Sequence, residues 1–452
     1  MSVDNKRFLN IANKSVKVKE GHYCINLSFK TYNITMPNNS VVAEQRLLSL
    51  KRKFQGDANY QKEYADFLGD IIHKGYAEIV SPAQVNRTDG KVWYIPHHGM
   101  YHPKKKTIRV VFDSGALFQG IFLNSELIQL NLTNTLIGVL AHFRQEPVAM
   151  MSDIQAMFHQ VKVMESDTDF LRFLWWPQGN VDNAPEFRMT VHLFGAVSSP
   201  SIANFALRKT AQDNTSSFPP DVTSTIMENF YVEDCLKSVP TEQEAVELIS
   251  NLTTICHKGG FHLSKWISNS RAVLAAVPSE DRAKDVKELD LSKDQLPMEQ
   301  ALGLQWCVQG DSFKFNITIS DRTHTRRGIL SVVNSIYDPI GFLCPLILSA
   351  KLLLQELCRQ NFGWDGIIPH TLVDQWTRWT SSLSQLADFE VSRCFKPEDF
   401  GNLVHNQIHH FSDASELGYG TVSYLKMTHK ETEGKVHKEF LMGKARVAPL
   451  KR

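Results

Sequence analysis

The sequence has no long hydrophobic run, no paired cysteine motif and almost no net charge. Its most apolar stretch, Ile340–Leu354, is interrupted by Pro345 and Lys351 and is too short to span a bilayer. The first residues lack the apolar segment of a signal peptide. The seven cysteines form no CxxC pair, which indicates reduced thiols in a cytoplasmic protein rather than a disulfide framework.

The residues that are present suit a folded protein with more than one core. Of 452 residues, 42% are hydrophobic and 10% are aromatic, a composition that excludes a collagen, a coiled coil and a disordered tail. Lys and Arg together number 49 and Asp and Glu number 48, so the formal net charge is +1. A total near zero still permits a local basic groove for a polyanion.

The order of strand and helix patterns predicts the fold class. In the middle of the chain the order βαββα favours an α+β domain over a doubly wound one. Ser198 or Ser199 is expected to cap one helix, with Pro200 as its first residue. Thr241 and Glu244 predict a capping box at the start of another. Apolar residues at helical spacing predict further helices over Ala43–Tyr76 (one or two), Arg326–Tyr337, Pro345–Asn361 and Thr371–Leu386.

Two acidic positions stand out because the strand pattern places them at turns. A buried strand is predicted to end at Asp153, and apolar runs on both sides of Glu233 and Asp234 predict a tight hairpin. If these strands are neighbours, three carboxylates meet at one sheet edge, where their repulsion requires cations such as Mg²⁺. The alternative is that Asp153 caps a helix and the other two acids form an ordinary polar turn.

The YVED segment at Tyr231–Asp234 resembles the YxDD box of retroelement reverse transcriptases. The chain as a whole resembles the reverse transcriptase region of a BEL/Pao-type LTR retrotransposon Pol polyprotein, with the start of its ribonuclease H domain. The segments that carry this resemblance are WYIPHHGMYHPKKKTIRVVFD, RQEPVAMMSDIQAMFHQV, LRFLWW, HLFGAVSSPSIANFAL, YVEDCLKS, GGFHLSKWISN, LGLQW, TRRGILSVVNSIYDPIGFLCPLIL and GWDGIIP.

The resemblance implies a right-hand polymerase with fingers, palm and thumb, a connection region and a truncated ribonuclease H-like C-terminal piece. The implied division is 1–42, an unassigned N-terminal segment; 43–152, fingers with the first palm strand; 153–290, palm with inserted fingers strands; 291–400, thumb and connection; and 401–452, the incomplete ribonuclease H-like start.

The resemblance also implies the catalytic residues. Asp153 matches the first catalytic Asp of the palm, with the backbone carbonyl of Ile154 as a further metal ligand. Asp234 matches the second Asp of YxDD, and Glu233 stands where the first Asp of that pair normally binds metal. Lys265 in LSKW matches a lysine that neutralises or protonates the leaving pyrophosphate, although an isolated lysine is usually a surface residue. Two Mg²⁺ ions, replaceable by Mn²⁺, are the implied cofactors.

A site for the incoming deoxynucleoside triphosphate is implied next to these residues. Phe158 matches an aromatic ring that excludes a 2′-hydroxyl, whereas by pattern alone it is a core residue on a helix face. Arg109 matches a fingers arginine that lies on the triphosphate. A lysine of the run Lys104–Lys106 would supply the companion cation, although such a run by itself predicts a solvated turn.

Two glycines complete the implied binding surface. Gly195 resembles the loop that shapes the nucleotide and template pocket, because a glycine lets the backbone approach a base or phosphate closely. Phe194 replaces a Gln that the family often has before this glycine, so a polar contact from that position is absent. Gly303 and Leu304 resemble the turn that grips the primer terminus.

The sequence departs from the family pattern at one catalytic position. Glu233 is longer than Asp by one methylene, and a displacement of about 1 Å at a catalytic group can cost on the order of 10²-fold in rate. Because Glu still binds Mg²⁺, reduced rather than abolished activity is expected.

The C-terminal part suggests a second, incomplete activity. SDASELGYG resembles the opening hairpin of a ribonuclease H domain with Asp413 as its first metal-binding acid. One acid cannot hold two metals, so ribonuclease H activity is expected only of the intact polyprotein. Cys256, His257 and His262 have no second half at zinc spacing and are interpreted as structural.

The leading hypothesis is a retrotransposon RNA-directed DNA polymerase fragment that uses two metal ions. Its expected partners are an RNA or DNA template with primer, deoxynucleoside triphosphates and the rest of the Pol polyprotein, with no membrane. Its expected location is the cytoplasm, free or in an intracellular particle. The alternatives are a catalytically decayed nucleic-acid-binding remnant and a protein-interaction scaffold.

Overall fold

The computed structural model divides the chain into two compact units. It describes residues 3–101, 107–177, 184–315, 317, 324–397, 400, 403–429 and 435–449. The first unit comprises Met1–Thr133, Ile154–Met227 and Asn251–Leu263. The second unit comprises Asn134–Asp153, Glu228–Ser250 and Ser264–Arg452.

Most of the helices predicted from the sequence are present at the expected positions. Ala43–Tyr76 forms two helices rather than one, and the three helices predicted beyond residue 320 are present. The α-helices of the described residues are α1 (Val3–Ser15), α2 (Ser40–Gly56), α3 (Ala58–His73), α4 (Pro82–Val85), α5 (Leu123–Glu126), α6 (Leu136–Phe143), α7 (Ser199–Asp213), α8 (Pro220–Glu228), α9 (Glu242–Lys258), α10 (Arg271–Ala276), α11 (Lys284–Lys287), α12 (Arg326–Ser335), α13 (Cys344–Arg359) and α14 (His370–Ser382).

Both predicted helix starts are confirmed in position, but only the one at Thr241 has a side-chain capping hydrogen bond. The Thr241 hydroxyl accepts a hydrogen bond from the Glu244 backbone N–H at 3.2 Å and donates to its carboxylate at 3.0 Å, so Thr241 caps α9 and pairs with Glu244. Helix α7 begins at Ser199, so Ser198 holds the N-cap position as predicted, and Pro200 is the second helical residue rather than the first. The Ser198 side chain makes no capping hydrogen bond, and its hydroxyl oxygen is buried without a partner among the described residues.

Short antiparallel strands supply most of the sheet structure. The strands are β1 (Lys17–Lys19), β2 (His22–Ile25), β3 (Ala77–Ile79), β4 (His97–Tyr101), β5 (Ile108–Phe112), β6 (Val148–Ile154), β7 (Lys162–Val163), β8 (Arg172–Leu174), β9 (Glu186–Met189), β10 (Phe230–Tyr231), β11 (Asp234–Val239), β12 (Leu263–Ser268), β13 (Met298–Ala301), β14 (Leu304–Cys307), β15 (Ser312–Lys314), β16 (Glu390–Ser392), β17 (Leu403–Ala414), β18 (Gly418–His429) and β19 (Val436–Val447). The pair β2–β7 is parallel.

Each unit has its own hydrophobic core. In the first unit, α2 and α3 bury apolar residues at helical spacing, among them Leu47, Tyr60 and Tyr64, against the tryptophans that follow β8. In the second unit, α6 and α12–α14 pack with the sheet β13-β14-β15-β16 around Trp306 and Trp376. No helix among the described residues is long and apolar enough to cross a membrane.

Candidate functional site

Two aspartates lie side by side in the sheet β10-β11-β6-β12. Strands β6 and β11 pair antiparallel, and Asp153 is the register partner of Asp234. Directly opposed residues in such a pair have Cα atoms only about 4.5–5.5 Å apart, so like charges there destabilise the sheet unless something neutralises them. The prediction that these strands are neighbours is confirmed, and the alternative in which Asp153 caps a helix is wrong.

The third acid lies in the turn that joins β10 to β11. Tyr231 pairs with Asp234, which leaves Val232 and Glu233 as a two-residue hairpin loop. Val232 has φ of 56°, a left-handed conformation that is strained for a β-branched residue and is maintained here by the paired strands. The loop therefore fixes the backbone of Glu233 directly beside Asp234.

A lysine from the neighbouring strand reaches the same edge. The Nζ atom of Lys265 lies 3.0 Å from Oδ1 of Asp153, and the two side chains are 65% and 19% exposed. Lys265 has φ of 56°, an unusual backbone conformation inside β12. One ammonium group thus stands against three carboxylates, which leaves an excess of negative charge at the site.

The excess negative charge and burial both change the pKa of Asp234. The pKa of Asp234 is raised to about 7, mainly by burial and also by the charges of Asp153 and Glu233, while Lys265 opposes the shift. A carboxylate with this pKa binds a proton or a cation readily near neutral pH. The arrangement is therefore chemically suited to accept positive charge.

Asp234→Asn is expected to stabilise the metal-free protein at about pH 8 by about 4 kcal/mol. The pKa is higher in the folded chain, about 7, than its ordinary value of 3.8, so protonation favours the folded state. In the wild type, the contribution of protonated Asp234 to stability is fully present below pH 3.8 and is lost as the pH rises through about 7. Urea unfolding in chelator at several pH values measures this difference.

The matched control for this prediction is Asp374→Asn, a change of the same chemistry at an exposed position on α14 of the same unit. Its effect on the free energy of unfolding should stay within about 0.5 kcal/mol at every pH. An Asp234→Asn effect of equal size at acid and alkaline pH would contradict the assignment of the raised pKa.

The carboxylates of Asp153, Glu233 and Asp234 are oxygen donors of the kind that hard divalent cations prefer. Among the described residues, no group of three or more His, Cys, Asp or Glu side chains is arranged to hold a metal ion. In this arrangement Lys265 contacts the carboxylate of Asp153 instead. The oxygens of Asp153, Glu233 and Asp234 are the ligands that Mg²⁺ prefers, and their mutual repulsion favours a cation over Lys265 alone.

The predicted primer-grip residues form a second hairpin in the same unit. Leu302 and Gly303, with φ of 50° and 90°, connect β13 to β14, while Leu304 is buried. A Cβ atom on Gly303 would lie 2.7 Å from Cε1 of Tyr337, so the ring requires glycine at this position. Burial raises the pKa of Tyr337, and so does the neighbouring Tyr231 of the YVED turn. Sequence reasoning missed Tyr337, whose only signal was its place in SIYDPIG.

The predicted nucleotide-binding residues lie in the first unit. Arg109 is exposed on β5, where it pairs with Met100 of β4. Gly195 has φ of 106°, and a Cβ atom there would lie 2.6 Å from the carbonyl oxygen of Phe112. The Asn124 amide donates to the Gly195 carbonyl at 2.8 Å, which fixes this close approach of two backbones.

The predicted aromatic selector packs against the residue before this glycine. Phe158 is buried in a short 3-10 helix, Met157–Gln160, and its ring centroid lies 4.4 Å from that of Phe194. Phe194 itself is 51% exposed, so it covers one side of Phe158 with apolar surface. Ile154, the last residue of β6, is fully buried. Lys104–Lys106, the predicted companion cations, lie outside the described residues.

Asp413 lies near the end of β17 in the three-stranded sheet β17-β18-β19. Its carboxylate accepts a hydrogen bond from the backbone N–H of Ala414 at 2.9 Å. Together with Lys444 and Arg446 of β19 it lines a pocket of about 600 Å³. The predicted hairpin of β17 and β18 is therefore confirmed.

The DPIG turn has a structural role that the sequence did not reveal. The carboxylate of Asp338 accepts hydrogen bonds from three successive backbone N–H groups, those of Gly341, Phe342 and Leu343, at 2.9, 3.0 and 2.7 Å. These bonds organise the start of α13. Gly341, with φ of 95°, lies so close to the backbone of Gly443 in β19 that a Cβ atom would overlap it.

Two buried arginines join distant segments of the second unit, and nothing in the sequence marks them. Arg393 donates to both carboxylate oxygens of Asp311, at 2.6 and 2.8 Å, and to the carbonyl of Glu146 at 2.9 Å. Arg144 donates to the Arg393 carbonyl at 2.9 Å and to the Phe440 carbonyl of β19 at 3.0 Å. Burial lowers the pKa of Arg144 to about 10.

Comparison with known protein families identifies the C-terminal part of the chain. Residues 325–452 match the family described as "Pao retrotransposon-like RNaseH-like domain". The matched range includes the DPIG turn, the three long helices and the sheet that carries Asp413. No curated protein matches the chain in sequence.

In fold, the chain resembles two solved structures of a foamy viral protease-reverse transcriptase. One, in complex with RNA/DNA hybrid, has a TM-score of 0.51 at 13% identity, and the match covers 99% of this chain and 50% of that one. The other, a dRH form in complex with double-stranded DNA, has a TM-score of 0.50 at 13% identity over 84% and 54%. The chain therefore spans about half the length of these structures.

The mixed helix and strand fold resembles that of the foamy viral protease-reverse transcriptase, and residues 325–452 match a ribonuclease H-like domain family. Together, the family match and the fold support a Pao/BEL-type retroelement Pol region. This confirms the resemblance drawn from the sequence and the α+β fold class predicted from the order of strands and helices.

Proposed function

We propose that the chain is an RNA-directed DNA polymerase whose catalytic carboxylates are Asp153, Glu233 and Asp234. The observation that carries the proposal is the register of β6 and β11, which sets Asp153 opposite Asp234 directly beside the turn with Glu233. The foamy viral structures, which were solved with DNA or RNA/DNA hybrid, support a primed template as the substrate.

The three carboxylates would hold divalent cations, which supply Lewis-acid stabilisation of the attacking and leaving oxygens in phosphoryl transfer. Lys265 then exchanges its contact with Asp153 for the pyrophosphate, where its ammonium group neutralises the leaving charge. Gly303 and Tyr337 form the surface for the primer terminus. By the family resemblance, Arg109 would lie on the triphosphate, Phe158 would exclude a 2′-hydroxyl, and a lysine of Lys104–Lys106 would add positive charge.

Primer extension tests this proposal. The assay measures incorporation of labelled deoxynucleotide on a primed RNA with Mg²⁺ or Mn²⁺, with Asp153→Asn protein as the blank and chelator as a second control. Signal above both supports the polymerase. Binding of primer–template without such signal favours a decayed nucleic-acid-binding remnant, and no binding even at low salt would favour a protein-interaction scaffold.

Glu233→Asp is expected to raise the extension rate on an RNA template by about 10-fold. The hairpin fixes the backbone of residue 233, so the extra methylene of Glu displaces its carboxylate relative to the position that Asp would give. Single-turnover extension by purified protein measures the gain.

The matched control is Glu228→Asp, the same shortening at an exposed position at the end of α8. It should leave the rate unchanged. No gain from Glu233→Asp would mean that the site tolerates Glu or that another step limits extension.

A further inference from the structure

The N-terminal segment, which the sequence left without a function, forms one side of a pocket of about 440 Å³ in the first unit. One face of α1 lines it with Asn10, Ile11 and Lys14, which recur at helical spacing. Phe29 and Phe170 lie at its floor, where both are buried and in edge-to-face contact at 4.7 Å. The pocket thus combines an apolar, aromatic floor with polar walls.

The pocket has a net positive charge, because two lysines and one carboxylate line it. Lys14 and Lys91 line it, and among the described residues neither ammonium group forms an ion pair. The carboxylate in the lining, Asp167, accepts hydrogen bonds from the Asn26 amide at 2.7 Å and the Leu27 backbone N–H at 2.9 Å. Residues 1–35 contain six basic side chains and two acidic ones, so the surrounding surface is also basic.

An exposed aromatic ring stands at the same pocket. Tyr32 is 67% exposed, and the Arg7 guanidinium lies over its ring at 4.3 Å from the centroid. The Nε and Nη2 atoms of Arg7 have no hydrogen-bond partner in the described part of the chain. An exposed ring with a cation on one side is a favourable surface for a stacked base.

We propose that this pocket binds a nucleotide unit of a single-stranded nucleic acid. The base stacks on Tyr32, and Lys14 and Lys91 contact the adjoining phosphates. A duplex does not fit this arrangement, because its bases are stacked on each other and offer no free face. The inference rests on the proposed function in one respect, which is that the bound strand is an unpaired stretch of the template. The binding site itself lies outside the proposed catalytic residues.

Binding of a fluorescent 20-nucleotide oligo(dT) to the full chain tests the proposal, with chelator present and without nucleotides. The double variant Lys14→Glu/Lys91→Glu is expected to weaken binding at least about 10-fold and to lower the salt dependence by about two counterions. Tyr32→Ala is expected to weaken binding about 10-fold. The matched control, Lys62→Glu on the exposed face of α3, should change affinity less than twofold.

A second measurement needs no variant. An oligonucleotide that carries 5-iododeoxyuridine is cross-linked to the wild-type protein, and mass spectrometry is expected to find the adduct on the peptide with Tyr32. An adduct only elsewhere, or equal losses from Lys62→Glu and the double variant, would overturn the site. Unlabelled AMP and unlabelled oligo(dT) are then compared as competitors at equal nucleotide concentration. If AMP competes equally well, the ligand is a free nucleotide and not a single strand.

The two proposals fail separately. The binding assay contains neither divalent cations nor nucleotides, so its result does not depend on catalysis. If the protein extends primers and binds primed duplex but does not bind a single strand, the single-strand site is wrong and the polymerase proposal stands. Single-strand binding at Tyr32 in a protein without extension activity would support it and contradict the polymerase.

Discussion

Asp153→Asn is expected to reduce primer extension at least about 10³-fold at saturating substrate. Asp153 is the register partner of Asp234 and forms an ion pair with Lys265. Its negative charge therefore acts on both of these proposed catalytic residues. Asparagine keeps the shape of the side chain but removes the anionic ligand. Single-turnover extension measures the loss, and primer–template affinity is measured in parallel.

The structure allows this loss to be separated from unfolding. Because Asp153 faces another carboxylate across the strand pair, removal of its charge relieves repulsion, and the fold should be at least as stable as before. Asp374→Asn on α14 serves as the charge-matched control and should retain full activity. Extension by Asp153→Asn within tenfold of wild type would exclude this residue as a catalytic ligand.

Asp169→Asn is expected to destabilise the first unit by about 3–5 kcal/mol. Asp169 is 1% exposed and contacts three arginines: Arg87, Arg172 at 2.9 Å and Arg188 at 3.2 Å. Arg172 is itself fully buried, so loss of the carboxylate leaves a buried cation with weaker compensation. Hydrogen exchange of the core amides in the first unit, including the backbone N–H of Trp93 that donates to the Asp169 carbonyl, measures the loss.

The effect should also depend on pH. Burial pushes the pKa of Asp169 up, but hydrogen bonds and charges from Arg172 and Arg188 lower it below its ordinary value of 3.8. The stabilisation is therefore present above pH 3.8 and is lost as the pH falls through the lowered pKa.

The matched control is Asp70→Asn, which removes an exposed pair with Lys74 on α3 and should cost less than about 0.5 kcal/mol. Equal losses from the two variants would contradict the role of the buried cluster.

Local chemistry explains why much of the fold was predictable. The helix cap formed by Thr241 with Glu244 and the hairpin at YVED depend on residues within a few positions of each other, so their signals are complete in the sequence. Ser198 holds the predicted N-cap position of α7, but its hydroxyl makes no capping hydrogen bond, and its burial is a tertiary property that the local sequence does not show.

The candidate site was predictable only in its parts. Pattern placed Asp153 at a strand end and Glu233 and Asp234 at a turn, but it left open whether the strands were neighbours. The register of β6 with β11 decided this. Burial then raised the pKa of Asp234, a property that no residue type carries by itself.

The sequence alone determined the identity of the acidic side chains, the hairpins and helices that carry them, and the retroelement resemblance, because each depends on residues near one another or on their order. Tertiary structure decided which charges meet. The contact of Lys265 with Asp153, that of Arg87 with Asp169 and the pocket beside Tyr32 all join residues far apart in the chain. Burial and distance set the energies of these contacts, and both arise only when the chain packs.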